Sequence, residues 1–288
     1  MNKYLISVDI EGITGVINKQ FAKKDGKYYQ LGCSYMLNDV NAVVQGIVNA
    51  DPDAWIVVRD AHEDSINLNL EELHPKANLI QGWGPIQNML EGLDQTFKGV
   101  FLVGYHASGA NNKAILGHTL SSLVHYVKIN DTLVNETGIA AFYASHFNVP
   151  IAFISGDDCV VNEARQQLGD IVGVVVKQSF SRDSGISLPL EQSQMLLEKS
   201  AADAVYQLNH HQFPVYQVSL PITLEIGFYN TGFRVSVFQY LVEILGFDSS
   251  YAFDQEKLSV KFVSSSILEA SKKLNMLMFL VHGIRAIS

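Results

Sequence analysis

The sequence has little of several features that would assign a function class at once. It contains 2 cysteines, Cys33 and Cys159, whose separation matches neither a metal-binding nor a redox motif. They do not form a disulfide framework, and we interpret them as reduced thiols. Basic residues are also scarce, since 20 Lys and Arg oppose 29 Asp and Glu and give a formal net charge of −9. Because a nucleic-acid backbone is bound by clustered cations, no nucleic-acid partner is expected.

Long hydrophobic runs are missing too. The most apolar late segment, Met276 to Ile284, is about half the length that spans a bilayer. The apolar stretch at the N-terminus soon reaches acids at Asp9 and Glu11, and it has neither the length nor the cleavage site of a signal peptide. We therefore expect a cytoplasmic protein with no membrane partner. A phosphate loop is not predicted either, because Gly12-Ile13-Thr14-Gly15 lacks the G-x-G-x-x-G spacing.

What the sequence does have is the composition of a packed globular protein, with 48% hydrophobic and 17% charged residues. Short apolar runs rich in Val, Ile and Phe alternate with amphipathic stretches over the first 180 residues or so, which predicts βα units. The predicted strands are Tyr4–Val8, Ala54–Val58, Ala77–Ile80, Val100–Val103, His125–Ile129, Pro150–Ile154 and Val172–Val176. The predicted helices are Asn38–Ala50, Pro85–Leu93, Glu136–Phe147 and Asp158–Leu168.

The pattern of apolar and amphipathic segments changes after Ser179. A long helix is predicted over Leu190–Leu208, followed by strands at Ile222–Phe228 and Leu258–Val263 and by helices at Arg234–Leu245 and Ser265–Ile284. The predicted fold is therefore α/β, with a Rossmann-like layered N-terminal domain over residues 1–185 and a smaller α+β region over residues 186–288. Asn130-Asp131-Thr132 lies between two apolar runs and predicts a hairpin, so part of the sheet structure is expected to be antiparallel.

Asp9 and Glu11 follow the first predicted strand, and side chains two residues apart in a strand point the same way. Two neighbouring carboxylates repel each other unless a cation or protons lie between them. A turn in which these acids cap the next segment explains the pair equally well. His62 follows the second strand in the same way, two residues after Asp60, although a lone histidine there is more often structural or exposed.

Two further candidates follow later elements. His106 ends the strand around residues 100–103, and Gly104 beside it would let the backbone approach a ligand closely. Glu136 begins a predicted helix, where the helix dipole favours an acid whatever the function. His118 follows a loop rich in glycine and asparagine and could move protons near a metal-bound water. On spacing alone, a loop histidine bonded to backbone is the better explanation of His118.

The case for a site comes from convergence. Three strand ends and one helix start each supply an Asp, Glu or His, and a doubly wound sheet brings such ends to one edge. Mixed carboxylate and imidazole ligands suit zinc or another divalent transition metal. The five candidates are Asp9, Glu11, His62, His106 and Glu136. Five ligands exceed what one catalytic zinc uses, but they suit two metals that share a bridging carboxylate.

The order of these motifs resembles that of peptidase family M55, the D-aminopeptidases of the DppA type. The matching segments are Ser-Val-Asp-Ile-Glu-Gly at 7–12, Asp-Ala-His at 60–62, Gly-Tyr-His-Ala at 104–107, Gly-His-Thr at 117–119 and Asn-Glu-Thr-Gly at 135–138. Connecting phrases such as Val-Lys-Gln-Ser-Phe-Ser-Arg at 176–182 also match. The resemblance covers roughly residues 3 to 185. The chain departs from the family pattern at Glu63-Asp64-Ser65 and over Tyr28–Met36, and no motif matches from Leu190 onward.

The resemblance implies a zinc-dependent aminopeptidase that removes the N-terminal residue of short peptides, with D-amino-acid peptides as one candidate substrate class. It implies two Zn²⁺ per subunit, with Asp9 as the bridging carboxylate, the other four candidates as further ligands and His118 as the catalytic residue. It also implies a ring-like homo-oligomer with active sites facing an internal chamber. The region 186–288 is then expected to supply part of the substrate pocket or the contacts between subunits.

Two alternatives stay open at this point. The first is another dinuclear metal amidase or phosphoesterase that acts on a small metabolite, for which Arg59 and Lys113 are the nearby basic candidates. The second is a non-catalytic oligomeric binding protein with the same fold. Metal content without turnover across a broad peptide panel would favour the second.

Overall fold

A computed structural model describes residues 1–83, 88–211, 213–230 and 236–287 of the chain. The strands are β1 Lys3–Val8, β2 Trp55–Asp60, β3 Ala77–Ile80, β4 Gly99–Tyr105, β5 Val124–Ile129, β6 Thr132–Val134, β7 Ile151–Asp157, β8 Val172–Ser181, β9 Ser184–Ser187, β10 Ile222–Phe228, β11 Tyr251–Asp254 and β12 Ser259–Ser264. The helices are α1 Lys19–Ala22, α2 Tyr29–Ala50, α3 Glu136–Ser145, α4 Asp158–Leu168, α5 Leu190–His210, α6 Val237–Leu245 and α7 Ile267–Ile287.

The first sheet has seven strands in the order β3-β2-β1-β4-β7-β8-β9. All neighbours are parallel except β9, which returns antiparallel to β8. From β1 the chain passes to β2 on one side, and β4 lies on the other side, so the strand order reverses at β1. In open α/β sheets ligands bind beyond the carboxyl ends of the strands at such a reversal.

Both faces of this sheet are buried, as the continuous apolar runs of its strands require. Along β1, Tyr4 and Ile6 pack in one core, which also holds buried residues of α2 and α5, and Leu5 packs in the core on the opposite face. That second core includes side chains from α3, α6 and α7. The result is a layered α/β structure, as the composition and alternation predict.

The second sheet has five antiparallel strands in the order β11-β12-β10-β5-β6. Ile129 pairs with Thr132 across the β5-β6 turn, which confirms the predicted hairpin. Two of its strands thus come from the region 1–185 and three from the region 186–288. The predicted division at residue 185 stays a prediction. In the described parts of the chain, every helix is too short or too polar to cross a membrane.

Several predicted boundaries differ from the structure. Helix α2 begins at Tyr29 rather than Asn38, because Gly32 lets its first turns pack tightly on the Phe21 carbonyl. Of the predicted helix at 85–93, residues 85–87 lie outside the described residues. The remainder is only a 3-10 turn, Asn88–Leu90, and Gly92 then takes a positive φ of 92°. The short strands β9 and β11, each 4 residues long, are absent from the predicted elements.

Candidate metal centre

The candidate ligands lie where three adjacent strands of the first sheet end. Asp9 follows β1 directly, His62 follows β2 by two residues, and His106 follows β4 directly. Because β2 and β4 flank β1 and run parallel to it, their carboxyl ends meet at one edge. Glu136, the first residue of α3, joins them from the second core, with its cap Asn135 accepting a hydrogen bond from Gly138 N.

Asp9 is the central residue of this cluster. One of its carboxylate oxygens, Oδ1, lies 3.0 Å from His62 Nδ1, and the other, Oδ2, lies 3.4 Å from His106 Nε2. Glu11 Oε2 is 3.0 Å from the same His62 nitrogen, so Asp9 and Glu11 do point the same way. Glu136 Oε1 lies 3.4 Å from His106 Nε2. All five side chains are buried, and the structure brings all five predicted ligands together.

The three histidines share one arrangement. In each, one ring nitrogen lies within hydrogen-bond distance of a main-chain carbonyl: His62 Nε2 of Ala22 O at 2.7 Å, His106 Nδ1 of Ala107 O at 3.1 Å, and His118 Nδ1 of Leu116 O at 2.9 Å. Donation to the carbonyl fixes the tautomer and leaves the second nitrogen free to accept, as in histidines that bind metals. That second nitrogen points into the carboxylate cluster in all three cases.

Two buried ligand atoms, Glu11 Oε2 and His106 Nε2, have ion-pair neighbours at 3.0 and 3.4 Å but no well-directed hydrogen bond among the described residues. A buried polar atom without such a bond is costly, and an ion is one explanation for it. Two groups of potential metal ligands occur here, Asp9 with Glu11 and His106, and His106 with His118 and Glu136, each with ligand atoms within 4.8 Å of one another. The donors therefore fit a divalent transition metal.

The cluster is strongly coupled electrostatically. Burial works against protonation of His62, but the carboxylates of Glu11 and Asp9 outweigh burial and hold its pKa well above the ordinary value. Burial raises the pKa of Asp9, but the hydrogen bonds and charges of His106 and His62 dominate and hold it well below its usual range. The imidazoles therefore face a strongly negative environment, which also attracts a cation.

Comparison with known proteins identifies the family. The model of the peptidase family M55, described as D-aminopeptidase, matches residues 2–244. The chain belongs to this D-aminopeptidase family. A curated relative, the D-aminopeptidase of Bacillus subtilis (strain 168), is 34% identical over 200 residues, which are 69% of this chain and 72% of that protein. The solved structure of the Zn-dependent D-aminopeptidase DppA from Bacillus subtilis, a self-compartmentalizing protease, matches with a TM-score of 0.88 and 28% identity over 97% of this chain and 98% of that one.

These matches confirm the predicted family, the α/β fold and the enzyme class, a metallo-aminopeptidase. The individual ligand assignments and the catalytic assignment of His118 stay predictions. His118 lies next to the cluster, with its ring stacked on His106 at a centroid distance of 4.1 Å and Nε2 4.0 Å from Glu136 Oε1. Its side chain is 28% exposed, so unlike the buried ligands it is open to the adjoining cavity.

Neighbouring residues hold the M55 cluster in place, and only some have a sequence signal. Lys177, on β8, is fully buried and donates hydrogen bonds to the carbonyls of Glu11, Ile13 and Val16. This ammonium fixes the loop that carries Glu11. Lys177 lies in the segment 176–182 that resembles the family, but the local sequence does not indicate its supporting role, because main-chain carbonyl acceptors can belong to any residue type.

Glu163, on α4, is a second support. Its carboxylate accepts hydrogen bonds from Ser108 N at 2.9 Å and from Asn135 Nδ2 at 2.8 Å, and also from Ser108 Oγ and Asn111 Nδ2. It thereby joins the loop after His106 to the residue before Glu136. Asp60, the partner of His62 in the sequence pattern, does not enter the cluster and instead accepts hydrogen bonds from Asn67 and Leu68.

A cavity of about 440 Å³ opens beside the cluster, within the size range of small-molecule sites. Asp9, Glu11, His62, His118 and Glu136 all line it. Its lining also includes Trp83 and residues of α7, which the sequence pattern does not point to. They are far apart in the sequence, and neither belongs to a recognisable motif.

Proposed function

We propose that the protein is a zinc-dependent aminopeptidase that hydrolyses the N-terminal residue from short peptides, D-amino-acid peptides among them. The observation that carries the proposal is the buried cluster of three carboxylates and two imidazoles, whose free ligand atoms converge beside a cavity. The similarity to the Zn-dependent D-aminopeptidase DppA supports zinc and the D-amino-acid substrate class.

We assign Asp9, Glu11, His62, His106 and Glu136 as the ligands of two Zn²⁺ ions. The position of Asp9 supports two ions, because its two oxygens face different histidines at 3.0 and 3.4 Å. When bound, the zinc ions supply Lewis acidity that polarises the scissile carbonyl and acidifies the attacking water.

The protein's own residues position the substrate and move the proton. His118 keeps its Nδ1–H on Leu116 O, so its Nε2 is free to accept a proton and deliver it to the leaving amine. Its partial exposure on the cavity wall gives the substrate access to that nitrogen.

The alternatives receive less support. Phosphoesterase chemistry would use Arg59 or Lys113, but Arg59 is buried and donates to Gly82 O and Ser65 Oγ. Neither of these two side chains lines the cavity, and its basic lining residues are others: Lys19, Lys23, Arg182 and Arg285. The relative with the solved structure is a self-compartmentalizing protease, which supports self-association of this chain. We further propose that the assembly is a ring-like homo-oligomer, and a cytoplasmic location stays a prediction.

The test combines metal analysis with hydrolysis of paired L- and D-aminoacyl peptides. Purified protein is expected to hold about two zinc ions per chain. His106→Ala should lose metal and activity together, because it removes the nitrogen between Asp9 and Glu136. His210→Ala, which removes an exposed histidine on α5, is the matched control and should keep both. Full activity in a metal-free preparation would contradict the proposal.

A further inference from the structure

Trp83, Phe279 and His282 line the same cavity as the candidate ligands and form an aromatic wall there. The indole and the phenyl ring have centroids 5.0 Å apart, and the indole and the imidazole meet edge to face at 5.9 Å. Trp83 is 46% exposed and Phe279 45% exposed, although both line a cavity. Such exposed aromatic surface is stabilised when an apolar group covers it.

The aromatic wall is fixed to the segment that carries a candidate ligand. Trp83 Nε1 donates a hydrogen bond of 3.0 Å to the carbonyl of Glu63, the residue next to His62. The Glu63 side chain is in turn held by Lys23 through an ion pair of 2.5 Å. A side chain stacked on Trp83 would therefore lie beside the metal centre at a fixed position.

The other half of the aromatic wall belongs to α7. Leu277 and Val281 are fully buried and anchor this helix in the core, while Phe279 and His282 line the cavity. The family model ends at residue 244, so α7 lies beyond the part of the chain that defines the family. The pocket thus combines the candidate metal ligands and Trp83, which lie in the region matched by the family model, with Phe279 and His282, which lie beyond it.

The charges around the aromatic wall restrict what it can bind. Burial and the neighbouring Arg285 lower the pKa of His282, so its imidazole is neutral at neutral pH and extends the apolar surface. Arg285 itself lines the same cavity one helical turn along α7. A basic side chain is repelled there, whereas a neutral aromatic or aliphatic one is not.

We propose that the aromatic wall is a specificity subsite that receives one aromatic or large apolar side chain of the peptide substrate. The proposal rests on the aminopeptidase function and adds the side-chain class that the enzyme prefers.

The first test measures binding without turnover. The chain has 2 tryptophans, and Trp55 is on β2 outside the cavity, so Trp55→Phe leaves Trp83 as the only indole. The zinc-loaded, full-length protein is titrated with phenylalanine, alanine and lysine, each in D and L form, while tryptophan emission is recorded. Phenylalanine should change the emission at a concentration about tenfold lower than alanine or lysine.

Variants of α7 test the location. Phe279→Ala should reduce the preference for phenylalanine at least about fivefold, and His282→Ala, a second variant of the same wall, should also reduce it. Met276→Ala is the matched control, because this residue is on the same helix, is 39% exposed and does not line the cavity. An equal response to phenylalanine and alanine, or an unchanged preference in both wall variants, would overturn the proposal.

Kinetics then separate this proposal from the function on which it rests. The values of kcat/KM are compared for Phe-Ala, Ala-Phe and Ala-Ala dipeptides of each configuration. The subsite is supported if the native enzyme prefers one of the phenylalanine-containing peptides and Phe279→Ala abolishes that preference. The preferred peptide then shows which substrate position the aromatic wall binds. Hydrolysis of all three at equal rates refutes the subsite alone. Selective binding of phenylalanine with no hydrolysis of any peptide refutes the aminopeptidase function and leaves the binding site standing.

Discussion

Replacing Asp39 with asparagine should make the chain more stable at neutral pH than the native protein, but not at acidic pH. Asp39 is fully buried on α2, and its Oδ2 accepts two hydrogen bonds of 2.9 Å from the backbone and hydroxyl of Thr14. Its Oδ1 has no hydrogen-bond partner among the described residues. Burial raises the pKa of this carboxyl from 3.8 to about 6, although the bonds from Thr14 oppose the rise.

The sign and size follow from proton linkage. In the unfolded chain Asp39 loses its proton near pH 3.8, but in the folded chain it keeps it until about pH 6. Between these values the folded state binds more protons, so stability falls as the pH rises. Across the whole pH range, the ionisation of Asp39 lowers the free energy of unfolding by about 3 kcal/mol. About 2 kcal/mol of this loss occurs between about pH 4.5 and pH 7.5. Asparagine cannot ionise, and its carbonyl can still accept both bonds from Thr14.

The assay is urea unfolding of the native chain and Asp39→Asn at a series of pH values, at one protein concentration and with a chelator present. The difference in free energy of unfolding between the two proteins cancels every titration that they share, including that of the metal ligands. It should move by about 2 kcal/mol in favour of Asp39→Asn from the acidic to the neutral end. Asp53→Asn, at an exposed turn, is the control and should show no such change. A difference that is constant with pH would refute the reasoning.

Three further predictions concern the candidate site. His118→Ala should keep its metal and lose about 10²–10⁴-fold in kcat, checked by metal analysis beside kinetics, and unchanged turnover would remove this residue from the mechanism. Gly104→Ala should unfold more readily by at least about 3 kcal/mol, because φ is +68° and a Cβ would lie 2.2 Å from the Asp9 carbonyl. Gly169→Ala, at φ +75° with nothing within 4 Å, should lose only about 1 kcal/mol in the same urea assay. Glu163→Gln should lose about 1–3 kcal/mol and bind zinc more weakly, since one amide oxygen cannot serve four donors, and an unaltered zinc affinity would contradict its supporting role.

The elements that carry the site could be predicted because their signals are local. The apolar runs before Asp9 and His62 are short, and polar residues follow each of them at once. A short segment of sequence therefore indicates both the strand and the candidate ligand. The convergence of these ends then follows from the parallel sheet. Glu136 is different, because an acid at a helix start needs no functional explanation and only the motif order of the family distinguishes it.

The remainder depends on contacts between distant parts of the chain. The first turns of α2 carry no strong helical pattern of their own, and they form because they pack on α1 and the loop after β1. The aromatic wall joins Trp83 to α7, and nothing in the local sequence of either indicates the other. Sequence patterns therefore describe the half of the pocket that performs the chemistry better than the half that selects the substrate.

That asymmetry has a physical cause in the donors themselves. A metal ligand must present a free nitrogen or oxygen, and the candidate ligands His62 and His106 achieve this because the other ring nitrogen of each lies at a main-chain carbonyl, that of Ala22 or Ala107. Such a constraint limits the residue types that can serve, so candidate ligands can be recognised in the amino-acid sequence. A binding wall only needs apolar area at the right place, which many residues supply from many positions. The candidate metal ligands are thus constrained by their chemistry, and the proposed specificity subsite by packing.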